Sequence, residues 1–278
     1  MFMKAVILAG GLGSRISEET VARPKPMVEI GGRPILWHIM KVYSAAGIND
    51  FVVCLGYKGD VIKRFFAEYF LRTSDVTFDL RANRMDVHES RTESWRVTLA
   101  DTGEETMTGG RLLRARRYIG DERFCLAYGD GLADIDIKAL VEAHVRSGRW
   151  ATVTAVQPAG RYGALRIADG MVTQFEEKPR GDGEWVNGGF FVFEPQIFPF
   201  LTDDVTVLEE EPMRALARSG QLHAFQHSGF WHSPSTTRPT SSGSGRAAKR
   251  RGRCGDPRHH PLLSQAVAQP VPSTLSYK

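Results

Sequence analysis

The residues nearest the amino terminus that could do chemistry form a glycine-rich turn. An apolar run ending at Ile7 leads into Leu-Ala-Gly-Gly-Leu-Gly-Ser-Arg, and nine residues after that arginine comes Pro24-Lys25-Pro26. Backbone N–H groups approach phosphate oxygens closely only where Cβ atoms are absent, and three glycines supply that freedom. The spacing is neither GxGxxG nor GxxxxGK[ST]. With an arginine and a lysine beside it, the turn predicts a nucleoside triphosphate site; a tight turn without a ligand is the alternative.

A second candidate is an aspartate between two glycines, Gly129-Asp130-Gly131, directly after the apolar run Phe124–Tyr128. Mg²⁺ prefers one or two carboxylates together with substrate phosphates and water. An aspartate at the end of a buried strand is well placed to share such an ion with a nucleotide. The alternative is a turn in which Asp130 only caps a backbone N–H. The glycine-rich turn upstream favours the metal.

Two further segments in the second half are suited to a phosphorylated sugar. Lys178 precedes a proline, which biases its backbone to an extended form and projects the ammonium from a strand end. A point charge in that position suits a phosphate monoester. Asn187 is followed by Gly188 and Gly189, and an amide beside two residues without side chains permits close approach of sugar hydroxyls. Each segment alone is more typical of a surface turn.

The elements that must position these residues alternate along the chain. Short apolar runs predict strands at 5–8, 51–55, 97–100, 124–128 and 151–156, and 3.6-residue periodicity predicts helices at 35–46, 59–70, 111–118 and 137–147. Such alternation predicts an α/β fold with a Rossmann-like, mainly parallel sheet flanked by helices. Ligands of these sheets bind at the carboxyl ends of the strands, where the glycine-rich turn and Asp130 would meet.

The charge distribution argues against a nucleic-acid partner. The pI is about 9.0, yet residues 1–231 hold 28 basic and 31 acidic side chains, whereas residues 232–278 hold 8 and 1. The basic character therefore belongs to the last segment, and no nucleic-acid-binding motif is visible in the body.

The compartment is predicted to be the cytoplasm. The chain enters a strand at once without a secretory signal, and no apolar run approaches the roughly 20 residues of a membrane span. The three cysteines are widely spaced and contain no CxxC pattern, which favours reduced thiols. Cys54 and Cys125 lie in apolar runs and are predicted to fill the core.

Residues 3 to about 231 resemble the sugar-nucleotide pyrophosphorylases, and among these the glucose-1-phosphate cytidylyltransferases. The resemblance rests on the glycine-rich turn, on Lys25-Pro26-Met27, on residues 31–40, 74–78, 101–103 and 107–111, on Tyr-Gly-Asp-Gly, on residues 160–165, on Glu-Lys-Pro, on Asn-Gly-Gly-Phe-Phe and on Gly-Phe-Trp at 229–231. It implies the nucleotide-diphospho-sugar transferase fold for a domain spanning residues 1–231. It also implies a homo-oligomer.

The resemblance assigns a role to each site residue. The nucleotide would be wrapped by the turn, consisting of Leu8, Ala9, Gly10, Gly11, Leu12, Gly13, Ser14 and Arg15. Lys25 would contact its phosphates; Thr106, Arg111 and Gly129 would line the cytidine site; Asp130 would hold Mg²⁺. Glucose 1-phosphate would face Glu177, Lys178, Asn187 and Gly188. Arg15, Lys25 and Asp130 would act in catalysis, as an oxygen of the sugar phosphate attacks the α-phosphorus of CTP. An enzyme using UTP or dTTP is the alternative.

The resemblance stops at His232. Family members continue with Pro-Met-Asp-Thr, whose aspartate is a second metal ligand, whereas this chain has no aspartate until Asp256. Of the 47 residues from His232 onward, 22 are Ser, Thr, Pro or Gly, so we expect disorder and weakened self-association. A basic interaction tail, a lineage-specific linker and a reading-frame error all remain open. Without the second ligand, a catalytically impaired chain that still binds nucleotide or sugar phosphate is also possible. Cys254 with His259 and His260 lacks a fourth zinc ligand.

Overall fold

The computed structural model describes residues 3–11, 23–89, 92–158, 164–168, 171–176 and 185–233, with the backbone alone between 164 and 176. The described residues belong to one compact unit. The loop from Leu12 to Arg15 and the pair Glu177 and Lys178 fall outside the described residues. So does the predicted disordered tail beyond Ser233, including Cys254, His259 and His260.

The described residues contain fifteen strands and six α-helices. The strands are β1 (Lys4–Leu8), β2 (Glu29–Ile30), β3 (Arg33–Pro34), β4 (Asp50–Leu55), β5 (Asp75–Asp79), β6 (Arg84–His88), β7 (Arg96–Asp101), β8 (Phe124–Tyr128), β9 (Leu132–Ala133), β10 (Ala151–Val156), β11 (Ala164–Ala168), β12 (Met171–Glu176), β13 (Val186–Phe193), β14 (Leu222–His227) and β15 (Trp231–His232). The helices are α1 (Ile35–Ala45), α2 (Gly59–Ala67), α3 (Tyr69–Thr73), α4 (Thr108–Ile119), α5 (Ile137–Ser147) and α6 (Glu211–Arg218), with 3₁₀ turns at Lys25–Met27 and Pro195–Phe200.

Seven strands form one sheet in the order β14-β10-β13-β8-β1-β4-β7. Neighbouring strands are parallel except at β13, which runs antiparallel to both β10 and β8. The prediction of an α/β fold with a mainly parallel sheet is therefore confirmed. In this sheet Leu8 pairs with Cys54 on one side and with Tyr128 on the other. Three strands consequently end at the same rim, and the loops that follow them meet there.

The central strands are apolar throughout because helices cover both faces of the sheet. Ala5 and Ile7 point into one core with Tyr43, whereas Val6 and Leu8 point into the other with Leu112. The predicted core cysteines, Cys54 and Cys125, are fully buried free thiols. Burial raises the pKa of each thiol to about 12, so both stay protonated.

Two helices have bounds that differ from the predicted ones. The helix predicted over 59–70 is broken at Glu68, whose φ of −92° and ψ of 5° end α2 before α3 begins. The helix predicted over 111–118 begins three residues earlier, at Thr108. This earlier start matters for the site, because it brings the first turn of α4 to the rim.

A two-stranded ribbon of β5 and β6 was not predicted. Its register pairs Val76 with Val87 and Phe78 with Met85 on one face, while charged and polar pairs occupy the other. Phe78 is 55% exposed. Among the helices the structure describes, none has the length and apolar character required to cross a membrane.

Candidate active site

A cleft of about 370 Å³ lies at the carboxyl rim of β1 and β8. This volume is within the usual range of small-molecule sites. The cleft is lined by Leu8, Ala9, Gly10, Gly11, Lys25, Pro26, Glu104, Glu105, Thr106, Met107, Thr108, Arg111, Tyr128, Gly129 and Asp130. Nine residues predicted from the sequence to bind nucleotide or metal are thus brought together, although they come from four separate segments.

The floor of the cleft is closed by backbone contacts that require a glycine. The N–H of Gly129 donates to the carbonyl of Leu8 at 2.9 Å, and the N–H of Ala9 donates to the carbonyl of Cys54 at 3.0 Å. A Cβ at position 129 would lie 2.8 Å from that Leu8 carbonyl oxygen and 3.0 Å from Cγ of Pro26. Gly129 therefore permits the approach of two loops from neighbouring strands.

Arg111 holds the glycine-rich turn from the side of α4. Its Nη2 donates to the carbonyls of Gly10 (2.8 Å) and Glu104 (3.0 Å). Its Nη1 donates to the carbonyls of Leu55 (3.0 Å) and Gly103 (2.7 Å) and to the Thr102 hydroxyl (3.0 Å). Arg111 is only 4% exposed, and burial lowers the pKa of its guanidinium. Arg111 lines the cleft, and these hydrogen bonds tie together three loops of the rim.

Lys25 and Asp130 face each other across the cleft. Lys25 begins the 3₁₀ turn that follows Pro24, and its Nζ lies 3.6 Å from Oδ2 of Asp130. Both side chains are largely covered, at 14% and 25% exposure. Within the described part of the chain no three His, Cys, Asp or Glu side chains come together as a metal site. A single carboxylate is nevertheless a ligand set that Mg²⁺ accepts when a substrate supplies phosphate oxygens.

Asn187 and Gly188 lie beside the cleft rather than in its lining. The Nδ2 of Asn187 donates to the Tyr128 hydroxyl at 3.0 Å, and Tyr128 lines the cleft. The Gly188 carbonyl accepts a hydrogen bond from Nε1 of Trp231 at 2.7 Å. The amide predicted to face the sugar phosphate is therefore linked to the cleft by one tyrosine.

Three residues were given no role from the sequence: Tyr128 and Thr108, which line the cleft, and Glu209, which lies next to it. The Tyr128 hydroxyl donates to Oε1 of Glu209 at 2.5 Å, and the Thr108 hydroxyl donates to Oε2 at 2.6 Å. Burial and the charge of Glu209 raise the pKa of Tyr128 well above its usual value, so the phenol stays protonated. Glu209 is 81 residues from Tyr128 along the chain, and no local pattern joins them.

Known proteins resemble this chain over almost its whole described length. The profile of the nucleotidyl transferase family matches residues 4–231. A glucose-1-phosphate cytidylyltransferase of Salmonella typhimurium is 58% identical over 237 residues, which cover 85% of this chain and 92% of that protein. The chain belongs to the glucose-1-phosphate cytidylyltransferase family. A Bacillus subtilis protein named "Probable glucose-1-phosphate cytidylyltransferase" is 46% identical over 82% of this chain and 90% of its own length.

Solved structures agree on the fold of this family member. HddC from Yersinia pseudotuberculosis superimposes with a TM-score of 0.61 at 24% identity, covering 84% of this chain and 94% of its own. A UDP-glucose pyrophosphorylase complexed with UDP-glucose gives a TM-score of 0.57 at 18% identity, covering 85% and 94%. At identities this low, the comparison is evidence for the fold alone. They support the nucleotide-diphospho-sugar transferase fold implied by the sequence.

Proposed function

We propose that this chain transfers the cytidylyl group of CTP to α-D-glucose 1-phosphate, giving CDP-glucose and pyrophosphate. The 58% identity to a glucose-1-phosphate cytidylyltransferase, over 92% of that protein's length, carries the proposal. In the reaction, a phosphate oxygen of the sugar forms a bond to the α-phosphorus of CTP. The bond from that phosphorus to the bridging oxygen of the β-phosphate breaks, and pyrophosphate leaves.

The residues of the cleft would act by alignment and by offsetting charge. The attacking phosphate is already ionised at neutral pH, so no protein nucleophile is needed. Lys25, largely covered at the cleft wall, would neutralise the triphosphate together with Arg15. The backbone N–H groups of the glycine-rich turn would hold its oxygens. Lys178, Glu177 and Asn187 with Gly188 would orient glucose 1-phosphate. Removing one such contact typically costs about 3 kcal/mol of transition-state stabilisation.

Asp130 is the residue proposed to hold Mg²⁺. It lines the cleft next to Lys25 and, as a hard oxygen ligand, suits this ion. When bound, Mg²⁺ would offset negative charge on the phosphates. The chain's own part is to fix the carboxylate at the end of β8, between two glycines.

The preference for cytosine is proposed to lie in the wall made by Thr106, Arg111 and Gly129. All three line the same cleft, and Arg111 fixes the loop that carries Thr106. The named relatives at 58% and 46% identity support CTP over UTP and dTTP.

An impaired chain is the second candidate, and one observation favours it. β15 pairs His232 with Leu132, only two residues after Asp130, so the chain passes beside the proposed metal ligand where the family resemblance ends. The sequence there continues His-Ser-Pro-Ser-Thr in place of a segment with an aspartate. Such a chain would bind CTP without efficient turnover.

A coupled assay of pyrophosphate release with CTP, Mg²⁺ and glucose 1-phosphate tests the proposal. We expect release that needs all three components and is much weaker with UTP or dTTP. Comparable kcat/KM for the three nucleotides would overturn the cytidylyl assignment. CTP binding by calorimetry without release would instead identify the impaired chain.

Two further features belong to the proposed function. The family resemblance supports a homo-oligomer whose association is weakened by the divergent sequence after Trp231, and light scattering of the purified chain measures its mass. A cytoplasmic location is proposed because CTP and sugar phosphates are cytoplasmic metabolites; cell fractionation tests it.

A further inference from the structure

The hydrogen bonds beside the cleft form a connected series in which each group is fixed as a donor or an acceptor. Thr108 accepts from the backbone N–H of Leu208 at 2.9 Å, so its own hydroxyl hydrogen points to Glu209. Tyr128 donates to the other oxygen of the same carboxylate. A carboxylate only accepts, and here both of its oxygens receive a hydroxyl donor.

This direction continues to Asn187. Because the phenol hydrogen is used on Glu209, the Tyr128 oxygen is left as an acceptor, and Asn187 must present its NH₂ group to it. The amide oxygen of Asn187 accepts from the Gly189 N–H at 2.8 Å. One N–H of the amide then has no protein partner among the residues the structure describes, and it is the group able to donate to a substrate oxygen.

We propose that Glu209 is a positioning residue that, through the Tyr128 hydroxyl, fixes the orientation of the Asn187 amide for the sugar phosphate. This inference rests on the proposed function, because it takes glucose 1-phosphate as the ligand of Asn187. Glu209 does not line the nucleotide cleft itself, whereas its partners Tyr128 and Thr108 do. Its carboxylate therefore joins the nucleotide wall at α4 to the proposed sugar subsite at β13.

The decisive variant is Glu209→Gln, which keeps the shape but replaces one acceptor by a donor. We expect Thr108, whose hydroxyl oxygen already accepts the Leu208 N–H, to keep the amide oxygen as its acceptor, so that the new N–H faces Tyr128 and the fixed direction is lost. We expect KM for glucose 1-phosphate to rise about tenfold, as expected for one hydrogen bond to a charged group, while KM for CTP stays near the parental value. Tyr128→Phe should act in the same way. In the double variant KM for glucose 1-phosphate should be little higher than in either single variant, because both substitutions break the same series of hydrogen bonds.

Glu210→Gln is the matched control. Glu210 is the neighbouring carboxylate, exposed and without a side-chain cap bond, so the same change of charge should leave both KM values unchanged. Equal rises in both KM values, or a parental KM for glucose 1-phosphate in a folded Glu209→Gln variant, would overturn the proposal. A general loss of folding would appear as a lowered Tm, and Tyr128→Phe then supplies the kinetic test.

A crystal structure of the Glu209→Gln variant separates this proposal from the proposed function. We expect the hydrogen bond from Asn187 to Tyr128 to be lost in that variant, whether or not the parental chain turns over CTP. Retention of that bond in the variant would overturn the positioning role even if the cytidylyl activity were established. Conversely, its loss together with an inactive parental chain would leave the positioning role intact and remove only the proposed reaction.

Discussion

Arg111 and Gly10 lie 101 residues apart in sequence, yet the Nη2 of one donates to the carbonyl of the other at 2.8 Å. This contact joins the start of the glycine-rich turn to α4. The same guanidinium also fixes the loop between β7 and α4 through two further carbonyls. The shape of the cleft consequently depends on one buried side chain.

Arg111→Lys should therefore weaken the cleft even though the positive charge is kept. A lysine cannot reproduce five donor contacts in one plane. We expect Tm to fall, with roughly 2 kcal/mol less free energy of unfolding, and CTP affinity to fall about tenfold. Thermal unfolding and calorimetry measure the two effects. Arg117→Lys, on an exposed position of the same helix, is the control, and a parental result for Arg111→Lys would contradict the role assigned to this side chain.

Gly10→Ala should disturb the same contact from the other side. A Cβ at Gly10 would lie 2.1 Å from Nη1 of Arg111 and 2.9 Å from the backbone nitrogen of Gly56, so one of these groups must move. We expect a lower Tm and loss of CTP binding. At Gly11 a Cβ meets no described atom within 4 Å, so Gly11→Ala should keep the parental Tm. Equal Tm values for the two variants would argue against the steric explanation.

Asp130→Asn should abolish turnover while sparing much of the nucleotide affinity. The substitution removes the proposed metal ligand but leaves the glycine-rich turn, Lys25 and Arg111 in place. The measurements are kcat under saturating Mg²⁺ and CTP binding by calorimetry. Asp121→Asn, in the exposed loop before β8, is a control of equal charge. A near-parental kcat for Asp130→Asn would refute the assignment.

Stability should fall on mild acidification because of His144. This residue is almost fully buried; its Nδ1 lies 2.8 Å from the Thr152 hydroxyl and its Nε2 lies 3.3 Å from Glu194, with Arg123 and His223 nearby. Burial lowers the pKa of His144 below its ordinary 6.5, although Glu194 opposes this shift. Below pH 6.5 the unfolded chain then binds more protons than the folded one, so the free energy of unfolding decreases as pH falls toward the folded pKa.

Urea unfolding at about pH 7.5 and about pH 5.5 should show a loss of up to roughly 1 kcal/mol from this residue. His144→Gln, which cannot titrate, should have a shallower dependence on pH. His88→Gln, on the exposed ribbon, should keep the parental dependence. A His144→Gln variant with the parental slope would show that another group carries the acid sensitivity.

The segment after Trp231 is predicted to limit activity. Replacing it by a sequence that continues Pro-Met-Asp-Thr should raise kcat by about 100-fold or more, because it restores a carboxylate beside Asp130. The same graft with Asn in place of the new Asp is the control and should stay at the parental level. Removing residues 232–278 from the chain as it stands should change activity little. Full activity that is lost on this deletion would show that the segment is a working part of the enzyme.

Sequence patterns predicted which residues meet at the rim of the sheet, because each strand that ends there is indicated by a local apolar run. The apolar run before Leu8 and the run before Gly129 each predict a strand, and parallel strands bring their carboxyl ends together. The ribbon of β5 and β6 also had a local signal, since Val76 and Phe78 alternate with polar residues. It was not predicted, because the alternation is short and both strands are largely exposed.

Local patterns could not predict the residues whose roles depend on partners far away in the sequence. Glu209 stands among several acidic residues, and only the fold brings it to Tyr128 and Thr108. Arg111 was predicted at the cytidine wall through the family resemblance, but no sequence pattern indicates its contact with Gly10. The antiparallel direction of β13 likewise follows from how the chain returns to the sheet, which no residue pattern in that strand records.

The order of strands in the sheet has a consequence for synthesis on the ribosome. β1 emerges first but pairs with β8, so the chain must reach Tyr128 before its earliest strand is flanked on both sides. Long-range pairing of this kind makes folding slow and leaves apolar edges uncovered for a time. The last strand of the large sheet ends at His227. Every strand of that sheet thus precedes the divergent sequence in the order of synthesis, and none of its described strand pairings depends on a residue after Trp231.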